Sequence, residues 1–383
     1  MRRALLWVVL PVSVLLVVGL GVGGWYYSDQ LLPAPPPWEP VADLTVTEVD
    51  PDAGTVTVEA TEGDVLLPRI GLVTDDGLLV ANGEAVLDEA GVTRTVTLLE
   101  GEWPEVGEPV AATVDTYRGD PATTLGLAFD QIAVAGELGP LPAWRVVPRG
   151  ATTDDTWVVI VHGRGGALSE GNRLLPLLDE FGLPSLTVSV RNDPDAPADP
   201  DGFGYFGDRE WQDVEAAVDH LLEVEGAERI VLAGYSQGAS AALSLLRRSE
   251  VADRIGGAVL ISPLVSLGAT LELQAAARGI PAPLIPALLT STRWITTLRS
   301  GLDFAQVEHA ARADELPAGV PLLLTHGTAD TTVPYEPTRE LAELLGTQAT
   351  YAEYADVDHV REWNSDAVRF EADLRALLED VIG

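Results

Sequence analysis

Cysteine and lysine are both absent from this chain of 383 residues, and all 23 basic side chains are arginine. Without cysteine there is no disulfide, no thiolate nucleophile and no Cys-ligated metal, and disulfides give no indication of redox compartment. Without lysine there is no Schiff base, no phosphate-cradling lysine and no Ser–Lys dyad. Positive charge is scarce: 23 basic residues stand against 59 acidic ones, for a formal net charge of −36. Nucleic-acid binding draws its affinity from cations set against phosphates, so no nucleic-acid partner is expected. The excess acid reads as a solvated surface. The nucleophiles that remain are Ser, Thr, Asp, Glu or a metal-bound water.

One long apolar run is present. Residues Ala4 to Tyr27 carry no charge, and about 20 apolar residues suffice to cross a bilayer. Arg2 and Arg3 precede the run, which favours a cytoplasmic N-terminus, and Trp7 with Trp25, Tyr26 and Tyr27 fit interfacial belts. The run exceeds the apolar region of a cleaved signal peptide, and Gly-Trp-Tyr-Tyr is a poor cleavage context. Residues 1–27 are therefore expected to be an uncleaved single-pass anchor that meets the lipid bilayer through residues 4–27. The body would then lie outside the cytoplasm at the cell membrane. Residues 28–40 contain Leu-Pro-Ala-Pro-Pro-Pro-Trp-Glu-Pro, which predicts an extended, semi-rigid stalk.

From residue 41 to about 120 the pattern is short and alternating. Leu44-Thr-Val-Thr-Glu-Val and Thr55-Val-Thr-Val-Glu flank Asp50-Pro-Asp-Ala-Gly, a pairing of strands and turn. A small β-rich module without a catalytic cluster is expected here. Beyond it, residues 121–383 alternate strands and helices, the signature of a largely parallel sheet covered on both faces. Candidate buried strands are Trp157–Val161, Ser185–Val190, Arg229–Ala233, Ala258–Ile261, Pro321–Thr325 and Thr350–Tyr354. Helical periodicity covers Asp208–Val224 and Asp366–Ile382.

Four loops carry candidate chemistry. Strand Arg229–Ala233 runs into Gly234-Tyr235-Ser236-Gln237-Gly238, and a helix-like stretch follows. Glycine at both flanks permits a turn so tight that the serine hydroxyl projects above the sheet. Strand Trp157–Val161 ends in His162-Gly163-Arg164-Gly165-Gly166, whose backbone N–H can aim at a developing oxyanion beside that of Gln237. Arg164 or Gly163 would supply this amide, Arg164 being preferred, while His162 supports the loop. Strand Pro321–Thr325 leads to His326-Gly327-Thr328-Ala329-Asp330, and strand Thr350–Tyr354 leads to Asp356-Val357-Asp358-His359. His359 would take the Ser236 proton and Asp330 would fix its tautomer. Asp356 and Asp358 are alternatives to Asp330, but they share a short loop with the histidine. His326 is expected to order the Asp330 loop, and His220 and His309 to be surface or packing residues. The acidic run Asn192–Gly202 lacks the alternation of a calcium loop and reads as a solvated loop at the cleft entrance.

Together the four motifs resemble the α/β-hydrolase superfamily from about Asp120 to Gly383, in its esterase and prolyl-oligopeptidase-like branch. The resemblance implies the α/β-hydrolase fold, a Ser236–Asp330–His359 triad, an oxyanion hole from Gln237 with Arg164 or Gly163, and no metal or organic cofactor. It also implies a cap, for which residues 266–315 fit, with Gly279-Ile-Pro-Ala-Pro-Leu-Ile-Pro-Ala-Leu-Leu inside it. The expected activity is cleavage of a carboxylic ester through an acyl-enzyme, an apolar cap suiting an acyl chain. A serine peptidase and a non-catalytic membrane-anchored binding module are the alternatives.

Overall fold

The computed structural model describes residues 18–150 and 155–382. The greater part of the expected bilayer-spanning run, residues 4–17, lies outside the described residues. Its remainder belongs to a helix over residues 18–31. Among the described residues no helix is long and apolar enough to cross a membrane.

The proline-rich segment is extended, as proline requires, but it is not a free stalk. Leu32 is fully buried, Pro33 bridges to Phe203, and the Trp38 N–H donates to the Gly165 carbonyl at 2.7 Å. A backbone that makes no internal hydrogen bonds has its polar groups free to pair with a neighbouring loop. Here that loop is the glycine-rich turn after the first central strand.

Residues 41–120 form an antiparallel barrel. Its strands are β1 (Leu44–Asp50), β2 (Thr55–Val58), β3 (Arg69–Val73), β4 (Gly77–Asn82), β5 (Val86–Asp88), β6 (Gly91–Gly101) and β7 (Pro109–Thr113). The order β2-β1-β7-β3-β4-β6-β5 closes on itself through a β2–β6 pairing. Alternation does the work: in β6, Val92 and Val96 point inward while Thr95 and Thr97 point out. Closure removes the open edges that such short strands would otherwise leave. Arg94, on the inward register, is fully buried; its guanidinium donates to the carbonyls of Val65, Leu67, Pro68 and Gly83.

The remainder is one sheet of eight strands among the described residues. These are β8 (Phe129–Gly136), β9 (Gly139–Val146), β10 (Thr156–Val161), β11 (Ser185–Val188), β12 (Arg229–Tyr235), β13 (Ile255–Ile261), β14 (Leu322–Gly327) and β15 (Ala349–Tyr354). The order is β15-β14-β13-β12-β10-β11-β9-β8. From β11 to β15 every pairing is parallel, whereas β9 is antiparallel to both β11 and β8. Six of these strands are the expected ones, with ends displaced by a few residues. The β8–β9 hairpin was not expected, because its burial alternates as an edge pair's does. Helices Trp211–His220 and Gln237–Arg248 cover one face with Val214, Val218, Leu243 and Leu246. Helices Leu175–Phe181 and Ala367–Ile382 cover the other with Leu178, Phe370, Leu374 and Leu378.

The segment between β13 and β14, which holds the expected cap residues 266–315, contains helices Leu267–Ala277 and Ile285–Ser300, which pack on each other.

Candidate active site

Strands β10, β12, β14 and β15 run parallel, so the loops leaving their carboxyl ends share one edge of the sheet. At about 4.8 Å per strand, the ends of β12 and β14 stand about 10 Å apart. The β15 loop must therefore fold back across β14 to reach a group on β12. It does so with Asp356 and Val360 at φ 59° and 57°. Its backbone rests on the β14 turn, since the Ala329 N–H donates to Val357 O at 3.0 Å and the Asp356 N–H to Thr328 Oγ1 at 2.9 Å.

Ser236 occupies the sharp turn between β12 and the helix Gln237–Arg248, at φ 49° and ψ −108°. Both flanking glycines are sterically required. A Cβ on Gly238 would lie 2.3 Å from the Val161 carbonyl oxygen, and one on Gly234 2.6 Å from the Ala239 nitrogen. Strain of this kind persists only where the surroundings fix it. Here the Ser236 N–H donates to Ile261 O at 2.9 Å, and the Ser236 carbonyl accepts from Ser240 and Leu264.

The three side chains expected to meet do meet. His359 Nε2 lies 3.0 Å from Ser236 Oγ, and His359 Nδ1 lies 2.6 Å from Asp330 Oδ2. With Nδ1–H donating to the carboxylate, Nε2 is left to accept the serine proton. Asp330 Oδ2 also accepts from His326 Nε2 at 3.0 Å, and its Oδ1 accepts from the Thr332 and Val333 amides at 2.8 and 2.7 Å. Burial alone would raise this carboxyl, but hydrogen bonds from His326 and His359 hold it well below the usual carboxylate range. An ionised, immobile carboxylate behind an imidazole equips that imidazole to take up and return a proton.

The neighbouring candidates divide as follows. His326 orders the Asp330 turn, its Nδ1 accepting from Thr338 Oγ1 at 2.8 Å. Asp358 turns away from His359 to accept from the Thr331 amide at 2.8 Å and to pair with Arg361. His309 is a packing residue, fully buried, with Nε2 donating to Ser240 Oγ at 2.8 Å; burial and nearby arginines keep it neutral. Within the 192–202 loop, Asp199 pairs with Arg209 and with Arg191, which it shares with Asp213, while Asp193 accepts from His162 and Asp201 from the Tyr205 hydroxyl.

The glycine-rich loop after β10 departs from the expectation at Gly163. The Gly163 N–H is engaged by Glu170 Oε2 at 2.7 Å, so it does not face Ser236 as a free donor. Glu170 was not singled out from sequence; nothing in Ser169-Glu170-Gly171 signals that a 3₁₀ turn will swing its carboxylate under the loop. Arg164 lines the same cavity as Ser236 and Gln237, while its guanidinium reaches the carbonyls of Leu31 and Pro33. Gln237 opens its helix, where backbone N–H groups lack partners within the helix. His162 holds the loop from below: Nδ1 donates to Gly163 O and Nε2 to Asp193 Oδ2, both at 2.8 Å. Burial disfavours its charge, but the Asp193 carboxylate outweighs burial and pushes the imidazole up to about 9.

Two cavities meet at Ser236. One, of about 360 Å³, lies under the cap and is lined by Phe206, Leu264, Leu267, Leu271 and Leu288. The other, of about 470 Å³, faces the barrel and carries the charged side chains Asp64, Arg118, Glu170, Arg173 and Arg361.

Residues 158–378, more than half of the chain, match the model of the alpha/beta hydrolase family. No curated protein matches the chain. Among solved structures, an esterase of Pyrococcus furiosus superposes with a TM-score of 0.53 at 21% identity, over 70% of this chain and 97% of that one. A second crystal form of that esterase gives 0.54 at 20% identity, over 70% and 95%. Likeness at this identity speaks to the fold, and the strand order, the elbow at Ser236 and the family match agree: the chain belongs to the alpha/beta hydrolase family.

Proposed function

We propose that this protein is a membrane-anchored serine hydrolase that cleaves carboxylic esters through an acyl-enzyme. The observation that carries the reading is the continuous line Asp330–His359–Ser236, with contacts of 2.6 and 3.0 Å, at the floor of an apolar cavity. In this mechanism Ser236 Oγ attacks the ester carbonyl carbon while its proton passes to His359 Nε2. The carbonyl oxygen gains the negative charge and is held by the amides of Gln237 and Arg164. The C–O bond to the leaving group breaks, the alkoxide takes the proton from His359, and an acyl-Ser236 ester remains. A water molecule then gives its proton to His359 and attacks the acyl carbon, and collapse returns the proton to Ser236. Asp330 stays ionised throughout and stabilises the imidazolium.

The anchor in this reading is the uncharged segment 4–27, preceded by Arg2 and Arg3, with the N-terminus cytoplasmic and the catalytic domain outside. Labelling of the full chain by a fluorophosphonate, lost in Ser236→Ala, is the direct test; an unlabelled wild-type protein would overturn the reading in favour of a binding module. Faster turnover of aminoacyl amides than of p-nitrophenyl esters would replace the esterase by a peptidase. Proteolysis of the body in intact cells tests the orientation, and full protection would reverse it.

A further inference from the structure

One wall of the apolar cavity does not come from the hydrolase domain. Tyr26, Tyr27 and Leu31, on the helix at residues 18–31, line it opposite Leu271 and Leu288 of the cap. That helix lies tightly along the cap helix Ile285–Ser300. Ser291 Oγ donates to the Leu20 carbonyl at 2.8 Å, and a Cβ on Gly24 would stand 2.3 Å from Ser291 Oγ. Arg299 secures the far end, donating to Ser28 Oγ at 3.1 Å and Asp29 Oδ1 at 2.9 Å while stacking over Trp25.

The outer face of this helix pair is apolar and uncovered. Val18, Val22, Trp25 and Tyr26 are each more than half exposed, and on the cap helix Trp294 and Leu298 are 69% and 78% exposed. The spacings place each set on one stripe of its helix. Large apolar side chains exposed on both of two packed helices mark an interaction surface. Its charge is also less acidic than the rest of the chain: residues 18–31 and 266–302 together carry three arginines and two acids, Arg299 pairing with Asp29 and Arg293 with Glu308, in a protein of net charge −36. The chain that precedes the helix, residues 4–17, is uncharged throughout.

We propose that this face seats on the bilayer surface and that the substrate is a lipid ester still held in that bilayer, its acyl chain entering the cavity along the helix at 18–31. The proposal rests on the esterase reading and adds to it the substrate's location and route. An acyl chain passing from the membrane into the cavity at Tyr26 and Leu288 exchanges one apolar environment for another and avoids exposing each CH₂ to water. Trp294 and Trp25 supply the amphipathic rings that bilayer interfaces favour.

The absence of cysteine makes the test clean. Leu298→Cys and, on the exposed flank of the C-terminal helix, Val368→Cys each give one attachment site for a nitrobenzoxadiazole probe in the full chain. In vesicles of phosphatidylcholine and phosphatidylglycerol, the probe at 298 should shift to the blue and the probe at 368 should not. The double variant Trp294→Ser, Leu298→Ser should hydrolyse a long-chain diacylglycerol in the same vesicles roughly tenfold more slowly, with unchanged hydrolysis of p-nitrophenyl acetate. Equal shifts at both sites, or an unchanged vesicle rate, would overturn the proposal while leaving the esterase intact. A shift at 298 that grows with protein concentration without vesicles would overturn it in favour of a second copy of the chain. Failure of the wild-type protein to cleave p-nitrophenyl acetate or to take up a fluorophosphonate would remove the esterase and this inference together.

Discussion

Arg361 and Asp64 join the barrel to the loop that carries His359. The guanidinium meets the carboxylate through two bonds, Nε to Oδ1 at 2.5 Å and Nη2 to Oδ2 at 2.8 Å, while Nη1 donates to the His359 carbonyl at 3.0 Å. Asn364 extends the joint, donating to the carbonyls of Arg69 and Val114 and to Thr116 Oγ1. The barrel thus braces the histidine loop from outside the hydrolase domain.

Asp64→Ala should therefore act on catalysis more than on stability. The pair is about a quarter exposed on each side, so its Coulombic worth is small. Loosening the His359 carbonyl should lower kcat by roughly three- to thirtyfold, since displacements of about 1 Å can cost a hundredfold. KM for a short ester should stay constant. Steady-state kinetics check this, and a change confined to KM would refute the bracing role.

Replacing Asp330 by Asn should leave the protein folded and reduce kcat by about 10⁴, through the wrong imidazole tautomer. The amide also removes the partner of His326. Circular dichroism with ester kinetics measures both, and an activity loss below about tenfold would mean that another acid serves His359.

Gly238→Ala tests the elbow. The added Cβ would meet the Val161 and His162 carbonyl oxygens at 2.3 and 2.5 Å, both backbone atoms that cannot rotate away. Overpacking of this kind costs about 1–3 kcal/mol or more, and the shift of β10 against the helix would displace the oxyanion loop. A lowered Tm together with loss of fluorophosphonate labelling is expected; an active, equally stable variant would contradict the packing described.

The pH dependence has two limits of opposite sign. His162 has a folded pKa raised to about 9 from an ordinary 6.5, so the folded state binds the extra proton between those values. Its stabilisation is complete below pH 6.5, declines as pH rises, and is lost above about 9; the full amount is on the order of 3 kcal/mol. Asp330 is depressed, so its contribution is present above the ordinary carboxylate pKa near 4 and is lost as pH falls below it. Tm measured across pH should fall in both directions, and His162→Gln should flatten the alkaline side only. An unchanged alkaline limb in that variant would contradict the His162–Asp193 pairing.

How much of this was legible in the sequence follows from the range of each interaction. The elbow, the Asp330 turn and the six buried strands were readable, because they depend on local sterics and on apolar runs a few residues long. The closure of the barrel through β2 and β6 was not, since pairing between residues 55–58 and 92–95 leaves no mark in either segment. Glu170 was missed for the same reason, whereas the local β8–β9 hairpin was missed because its half-buried, alternating strands form no continuous apolar run.

The sequence by itself determined the chemistry available: no thiol, no amine, one serine between two glycines, and one histidine following Asp330 in chain order. Backbone sterics and residue inventory are local properties, and they survive without coordinates. Only the tertiary structure decided what surrounds that chemistry. It turned the Gly163 amide toward Glu170, made the proline-rich segment a strap across the hydrolase domain, and set the helix at 18–31 as a wall of the apolar cavity. Each of these depends on which distant surfaces bury one another, and that is settled by packing over the whole chain.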